Sequence, residues 1–103
     1  MGGIRGRYGL VVVAGRSMEP TLRDGDRLLV RWGAEPVAGR VAVVRLPGGR
    51  PLGVKRLLRL EPEGWWVERD SPTEGADSWS VGAVPEKDVL GLVVRRVWPP
   101  RRA

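Results

Sequence analysis

The sequence predicts a mainly β protein, built from compact antiparallel sheets with little helix. Fifteen glycines and nine prolines interrupt the chain of 103 residues every few positions, and short runs rich in valine and leucine lie between them. That spacing is typical of short strands joined by turns, and helical periodicity is almost absent. The length fits a single domain over residues 1–103, with a core at about residues 8–98 and a loose basic tail at residues 99–103.

Each predicted strand is an apolar run bounded by turn residues. The runs fall at residues 10–14, 27–32, 40–46, 52–60, 65–69 and 89–98. The segments DGD at 24–26, PGGR at 47–50 and EPEG at 61–64 have the composition of tight turns. Residues 70–81 form the longest polar stretch and are predicted to be a loop, and a loop of that length in a small domain is often functional.

Composition restricts the chemistry available to the chain. It contains no histidine and no cysteine, which excludes a Ser-His-Asp triad, thiol catalysis and the usual transition-metal ligands. We therefore expect neither a metal nor another cofactor. The formal charge of +6 is carried by sixteen arginines and two lysines. It indicates either an acidic partner, such as nucleic acid or a membrane surface, or a surface on which arginine has replaced lysine.

The apolar runs are also too short to cross a membrane as a helix. The unbroken run at residues 10–14 has five residues, whereas a spanning helix needs about 20. The N-terminal segment lacks the apolar region of a secretory signal. Together with the absence of cysteine, these features predict a cytoplasmic protein, with peripheral contact to a membrane left open.

Ser17 is the first candidate for a catalytic residue. It follows the apolar run at residues 10–14, at a point where the glycine at position 15 indicates a turn. A serine in that place is either a nucleophile or an ordinary turn or helix-capping residue. A nucleophilic serine needs an adjacent base. Without histidine, that base is a carboxylate, the N-terminal amine or one of the two lysines, because arginine stays protonated.

Lys55 is the better of the two lysines as a base. It lies inside the predicted strand at residues 52–60, on the side shared with Gly53 and Leu57. Partial burial there would lower the pKa of its amine, as a lysine base requires. Lys87 lies between Glu86 and Asp88 in a predicted exposed turn, where the acidic neighbours favour the charged form. The non-catalytic alternative for Lys55 is a strand lysine whose aliphatic stem covers apolar surface.

Three segments, in order along the chain, resemble signal peptidase I-like Ser/Lys serine proteases of the S26/S24 type. The first is GRSMEPTL at residues 15–22, followed by GD at 25–26 and LLV at 28–30. The second is GVKRL at 53–57, which resembles the family's catalytic-lysine segment. The third is DS at 77–78 with the glycine at 82, VP at 84–85 and LG at 90–91. In its small size, the chain is most similar to nickel-type superoxide dismutase maturation proteases.

The resemblance implies both a fold and a reaction. The fold would be a partly open barrel of antiparallel sheets, like that of signal peptidases and LexA-like repressor proteases. Ser17 would attack a peptide carbonyl, Lys55 would take its proton, and the backbone N–H of Ser17 would help to form the oxyanion hole. The substrate would be a precursor polypeptide, bound as an extended strand and losing an N-terminal segment.

The resemblance also suggests supporting residues and departures from the family pattern. Asp77 and Ser78 are expected to support the site, and Met18, Pro20 and Val54 to contact substrate, although Met18 could instead fill the core. Gly15 stands where many signal peptidases have a hydroxyl donor for the oxyanion hole. Trp79 stands where the family has an arginine that pairs with the aspartate two positions earlier. Gly75 lies near the place of a serine that often contacts the lysine.

Other function classes remain at this point. An inactive homologue is one, because the departures from the family pattern fall around the pair Ser17 and Lys55, here called the dyad. A small basic β-barrel that binds nucleic acid is another, suggested by the charge, the five tryptophans and Tyr8. The basic residues do not cluster with the aromatic ones, so we expect no nucleic acid partner. A self-cleaving repressor would need a DNA-binding region and an upstream cleavage loop, and the sequence contains neither.

Overall fold

A computed structural model describes residues 7–100 of the chain. Six strands form one antiparallel sheet in the order β1-β2-β6-β3-β4-β5. Their bounds are β1 Arg7–Val12, β2 Arg27–Trp32, β3 Val41–Arg45, β4 Leu52–Glu61, β5 Gly64–Glu68 and β6 Val89–Trp98. A one-turn helix, α1 at Ser78–Val81, and a 3-10 turn at Glu86–Asp88 lie between β5 and β6. The mainly β prediction is confirmed, and the sheet does not close into a complete barrel.

The predicted strands all occur: β2 and β6 have the predicted ends, and the ends of the other four are shifted. The largest shift is in β1, which begins three residues earlier than predicted and ends at Val12 rather than at residue 14. Beyond it, Val13 exchanges hydrogen bonds with the turn before β2: its N–H donates to the Asp26 carbonyl and its carbonyl accepts from the Gly25 N–H, both at 2.8 Å. The strand therefore gives way to a loop that the turn at residues 24–26 fixes in place.

The prediction of a loop for residues 70–81 is wrong over its last four residues, which form α1. Asp77 is the helix cap: its carboxylate accepts a hydrogen bond from the N–H of Trp79, and the Ser80 hydroxyl reciprocates at the Asp77 N–H. Such a capping box satisfies the free donors at a helix start. Of the predicted basic tail, residues 101–103 lie outside the described residues, as do residues 1–6 at the other end.

The sheet carries an apolar core on each face. Neighbouring residues of β3 divide between the two cores: Val43 belongs to one, and Ala42 and Val44 to the other, as the alternation of side chains along a strand requires. The first core includes Leu28 and Val30 of β2 with residues that follow β1. The second core lies over β3, β4 and β5. The candidate active site lies where the end of β1 faces the start of β4.

Within residues 7–100, no helix has the length and apolar character that crossing a membrane requires.

Candidate active site

Ser17 lies on a loop, residues 13–26, that is tied down on both sides. The Asp24 carboxylate accepts a hydrogen bond from the Gly15 N–H at 2.7 Å, and the Asp26 carboxylate accepts one from the Arg23 N–H at 2.8 Å. Met18 and Leu22 anchor the loop in the core, with 1% and 7% of their surfaces exposed. Asp24 and Asp26 thus act as turn residues, as their spacing around a glycine predicts. They also fix the backbone on which Ser17 is presented.

Lys55 reaches Ser17 from the middle of β4. Only 4% of its surface is exposed, and it lies on the same face of the strand as the buried Leu57. Its Nζ lies 2.8 Å from Oγ of Ser17 and donates a hydrogen bond to it. Burial is the main cause that lowers the pKa of Lys55 below its ordinary value of 10.5, because an ammonium loses its hydration there. The hydroxyl and the amine can therefore exchange a proton without further movement.

The segment 70–77 covers the dyad from a third direction. The N–H of Ser71 donates to the carbonyl of Ser17 at 2.8 Å. Gly75, with φ of +101°, lies so close that a Cβ atom on it would be 2.2 Å from Cβ of Ser17 and 3.4 Å from Nζ of Lys55. Only glycine fits this position without moving the nucleophile. The family's serine, expected near this residue, is thus replaced by a close backbone contact.

The dyad opens into an apolar cleft with a volume of about 560 Å³. The end of β1 and the loop after it form one wall, the start of β4 forms the opposite wall, and residues 74–76 complete the rim. Met18 and Val54, predicted to contact substrate, both line the cleft. Pro20 does not. A turn closed by the Leu22 N–H, which donates to the Met18 carbonyl at 2.9 Å, carries Pro20 to the exposed side of the loop.

Comparison with known proteins agrees with this geometry. The family model described as Peptidase S24-like matches residues 3–93, which is most of the chain. The chain belongs to this family. It is also similar to mitochondrial inner membrane protease subunit 1 of Xenopus tropicalis, with 30% identity over 115 aligned positions that cover 87% of this chain and 69% of the relative. The predicted resemblance is confirmed at the level of the family, while the link to nickel superoxide dismutase maturation stays a prediction.

In this Peptidase S24-like chain, an ion pair that the sequence did not reveal joins the Ser17 loop, β4 and the segment 70–77. The guanidinium of Arg56, the residue after Lys55, donates two hydrogen bonds to Asp70, from Nε at 3.0 Å and from Nη2 at 2.7 Å. The same carboxylate accepts a hydrogen bond of 2.6 Å from the hydroxyl of Thr21 on the Ser17 loop. These contacts lower the pKa of Asp70 and raise that of Arg56, in each case chiefly through their shared hydrogen bonds.

Asp77 has an arginine partner, although position 79, where the family resemblance puts that arginine, is a tryptophan. The partner is Arg69. Nε of Arg69 lies 3.9 Å from the Asp77 carboxylate. Trp79 lies instead on the surface, where its ring packs edge-on against Trp66. Ser78 is buried and accepts a hydrogen bond of 2.8 Å from the Val67 N–H of β5. It attaches α1 to the sheet, and the structure shows no hydrogen bond between it and the dyad within residues 7–100.

The donors available for an oxyanion hole are backbone groups. The Gly15 N–H already donates to Asp24, so Gly15 supports the loop and its amide is occupied. The Ser17 N–H makes no hydrogen bond to any other group in the described part of the chain. It is therefore free to bind another acceptor, whereas Gly15 has no counterpart of the hydroxyl that the resemblance to signal peptidases leads one to expect there.

Proposed function

We propose that this chain is a serine endopeptidase with a Ser17/Lys55 dyad that removes an N-terminal signal or propeptide from a precursor protein. The observation that carries the proposal is the 2.8 Å contact between the buried Lys55 amine and the Ser17 hydroxyl, at the base of an apolar cleft. The Peptidase S24-like family and the relative named as a protease subunit support peptidase activity. The Ser/Lys mechanism and the precursor substrate go beyond them.

The reaction would proceed in two steps through a covalent intermediate. Oγ of Ser17 attacks the scissile carbonyl while neutral Lys55 takes the hydroxyl proton on Nζ. The resulting ammonium gives that proton to the leaving amine as the peptide C–N bond breaks, which leaves the precursor's N-terminal segment as an ester on Ser17. Water then attacks the ester, and Lys55 takes the water's proton and returns it to Oγ. The low pKa of Lys55 keeps a larger fraction of the amine neutral.

The transition state carries negative charge on the substrate oxygen, and the Ser17 N–H is our proposed donor to it. A single preorganised donor of this kind is worth about 10²- to 10³-fold in rate. Lys55 and Ser17 are held from opposite sides by β4 and by the loop 13–26. The oxygen would therefore bind on the side of Ser17 away from Lys55, next to the backbone of residues 15–17.

The substrate would bind as an extended strand along β1. This strand lies at the end of the sheet, and its outer edge pairs with no other strand of residues 7–100. Its last residues line the cleft. An added strand would use the free backbone groups of that edge and place alternate side chains in the cleft. Val54 would contact them there, with Met18, which is 1% exposed, behind it as part of the buried wall of the cleft. A nickel superoxide dismutase precursor is one candidate substrate that the resemblance suggests.

Peripheral contact with a membrane is a second part of the proposal. Tyr8, Leu10 and Val12 are exposed on the outer face of β1, and the exposed Trp98 lies beyond them on the same side of the sheet. Arginines are interspersed, as in the pairing of Val12 with Arg27. Apolar and aromatic side chains among cations suit an anionic lipid surface. Cosedimentation with anionic vesicles, compared with a Leu10→Gln variant, tests this part. The cytoplasmic location stays a prediction.

The first experiment compares new protein N-termini in cells that carry the wild-type chain or Ser17→Ala. We expect one or a few N-termini that occur only with the wild type, which would reveal the precursor and the cleavage site together. A Lys87→Met variant, which changes an exposed lysine and keeps Ser17 and Lys55, serves as an expression-matched control and should retain the same N-termini. Identical N-terminal profiles for wild type and Ser17→Ala, with both proteins folded, would favour an inactive homologue or a binding module.

A further inference from the structure

The guanidinium of Arg69 makes three contacts with the loop that follows β5, more than a surface arginine at a strand end usually makes. Arg69 follows β5 directly, and its guanidinium spans the loop that begins there. Nη1 donates to the Gly75 carbonyl at 2.8 Å, and Nη2 donates to the Pro72 carbonyl at 3.2 Å. Nε lies 3.9 Å from the Asp77 carboxylate. One planar group thus holds three points of the segment 70–77.

The segment that Arg69 holds is the one in contact with the dyad. The backbone of Gly75 packs against Ser17 and lies close to the Lys55 amine. The Gly75 carbonyl accepts its hydrogen bond from Arg69 on the other side. A change in this hydrogen bond would therefore shift the wall against which the nucleophile packs, and displacements of about 1 Å in a reacting group cost on the order of 10²-fold in rate.

Arg69 also balances the charge next to Lys55. The Asp77 carboxylate raises the pKa of Lys55, and the Arg69 guanidinium lowers it, both less than burial does. Besides Lys55, the charged residues that line the cleft are Arg16, Arg50 and Glu74. Arg16 and Glu74 pair with each other at 3.2 Å, and Arg50 donates to a carbonyl within its own turn. Asp77 and Arg69 are thus the charged pair that acts on the Lys55 amine.

We propose that Arg69 is a positioning residue of this site, which holds the segment 70–77 against the dyad and screens Lys55 from the Asp77 carboxylate. It does the work for which the resembling family uses an arginine at the position of Trp79. The inference rests on the proposed Ser/Lys reaction, because positioning of a base matters only if Lys55 is one. Its sign is specific: loss of Arg69 favours the protonated, inactive form of Lys55.

Three single variants and one double variant separate the two roles of Arg69. Arg69→Gln removes the charge and most of the hydrogen bonds. Arg69→Lys keeps the charge but cannot hold three points with one planar group. Asp77→Asn removes the carboxylate that Arg69 faces. The double variant Arg69→Gln/Asp77→Asn removes both charges, so it should return Lys55 close to its wild-type electrostatic environment while leaving the segment less well held.

The titration of Lys55 can be measured without any substrate. The chain has two lysines, so a Lys87→Arg background with ¹³C-labelled lysine gives a single side-chain signal in an NMR titration. We expect the midpoint to rise in Arg69→Gln by up to about one pH unit, to fall in Asp77→Asn and to return near the wild type in the double variant. In Arg69→Lys it should stay within a few tenths of a unit. If Arg69→Gln does not fold, the acylation rate of Arg69→Lys carries the test.

A second readout reports on Ser17. Acylation of Ser17 by p-nitrophenyl acetate is measured from the release of p-nitrophenolate. The rate of the Ser17→Ala variant is subtracted to remove reaction at other groups. We expect Arg69→Lys to acylate about tenfold more slowly than the wild type at high pH, where Lys55 is neutral in both. An unchanged NMR midpoint in Arg69→Gln together with a wild-type acylation rate in Arg69→Lys would overturn the inference. If the midpoints move as expected but the wild type shows no Ser17-dependent acylation, the proposed function fails instead.

Discussion

The two lysines of this chain have the same side chain and opposite surroundings. Lys55 lies in the interior of a ten-residue strand, almost fully buried, with its amine on the hydroxyl of Ser17. Lys87 lies in the 3-10 turn Glu86–Asp88, exposed to solvent and flanked by two acidic residues. The chemistry available to each differs accordingly. Only the buried amine, which lies beside a hydroxyl, is placed to act as a base.

The comparison shows that the candidate site depends on burial more than on composition. Sixteen arginines cover the chain, and none can replace Lys55, because a guanidinium does not release its proton at usable pH. The strand therefore holds a polar amine where an apolar residue would be more stable. Functional groups kept in such unfavourable places typically reduce stability in exchange for activity. Replacing each lysine in turn with methionine tests both the gain in activity and the loss of stability.

The largest expected effect separates the two lysines by activity. Lys55→Met, like Ser17→Ala, should reduce peptide cleavage or acylation by at least about 10³-fold, because each removes half of a unit that works only as a pair. Lys87→Met should leave the rate within about twofold. The rates are measured on purified proteins of matched fold, checked by circular dichroism. Equal losses in the two lysine variants would show that Lys55 has no special role.

A smaller effect is expected from the glycine that packs on the dyad. Gly75→Ala would put a Cβ atom 2.2 Å from that of Ser17, so the loop or the nucleophile must move, and we expect a loss of about 10²-fold in acylation rate. Gly82→Ala is the matched control, because Gly82 has a similar φ of +89° but no neighbouring atom within 4 Å of the place that an added Cβ would take. Both variants should lose about 1 kcal/mol of stability from backbone strain. Similar rates in the two would contradict the role of the Gly75 contact.

The ion pair behind the site should matter less than the glycine. Asp70→Asn weakens the double hydrogen bond from Arg56, and we expect about a tenfold loss of rate and a loss of roughly 1–2 kcal/mol in the free energy of unfolding. Asp88→Asn, at a carboxylate that pairs with the exposed Arg45 at 3.5 Å, should change stability by less than about 0.5 kcal/mol. Urea denaturation of both variants measures the difference, and comparable losses would remove any special role of Asp70.

The same carboxylate gives a dependence on pH with a defined sign. Because the pKa of Asp70 is lowered in the folded state, its stabilising contribution is complete above the ordinary aspartate value, about 3.9. It is lost as the pH falls through the lower, folded pKa. The stability difference between wild type and Asp70→Asn should therefore shrink in acid. A difference that stays constant down to pH 2 would show that the lost hydrogen bonds, and not the charge, account for it.

Much of the fold, and the local setting of Ser17 and of Lys55, can be predicted from the sequence, because both depend on local signals. Glycine and proline mark the turns, so all six strands are predicted. The apolar neighbours of Lys55 in β4 indicate its burial, and the position of Ser17 after a strand indicates a loop. Each of these inferences uses residues within a few positions of one another, where strand alternation and turn chemistry are reliable guides.

The supporting contacts could not be predicted, because they join residues far apart in the chain. Thr21 and Asp70 are 49 positions apart and Arg56 and Asp70 are 14 apart. No local pattern marks them, and a charged residue between strands usually indicates only solvent exposure. The family resemblance puts the arginine partner of Asp77 at position 79, although Arg69 reaches it across the loop. It also puts Pro20 at the substrate, and the turn at Leu22 carries that residue away.

The smallest expected effect returns to the two lysines, measured by stability. Lys55→Met should stabilise the protein by about 1 kcal/mol at neutral pH, because it removes a buried amine. Below the folded pKa of Lys55 both states hold the proton, and the cost of burial is complete. As the pH rises from that value to 10.5, the unfolded chain binds more protons, so the wild type gains stability and the advantage of the variant fades. Denaturation midpoints of wild type, Lys55→Met and Lys87→Met, followed from pH 6 to pH 11, measure this. The Lys87→Met difference should stay small throughout, and an advantage of Lys55→Met that does not change with pH would mean that packing, and not the charge, limits the stability of the wild type.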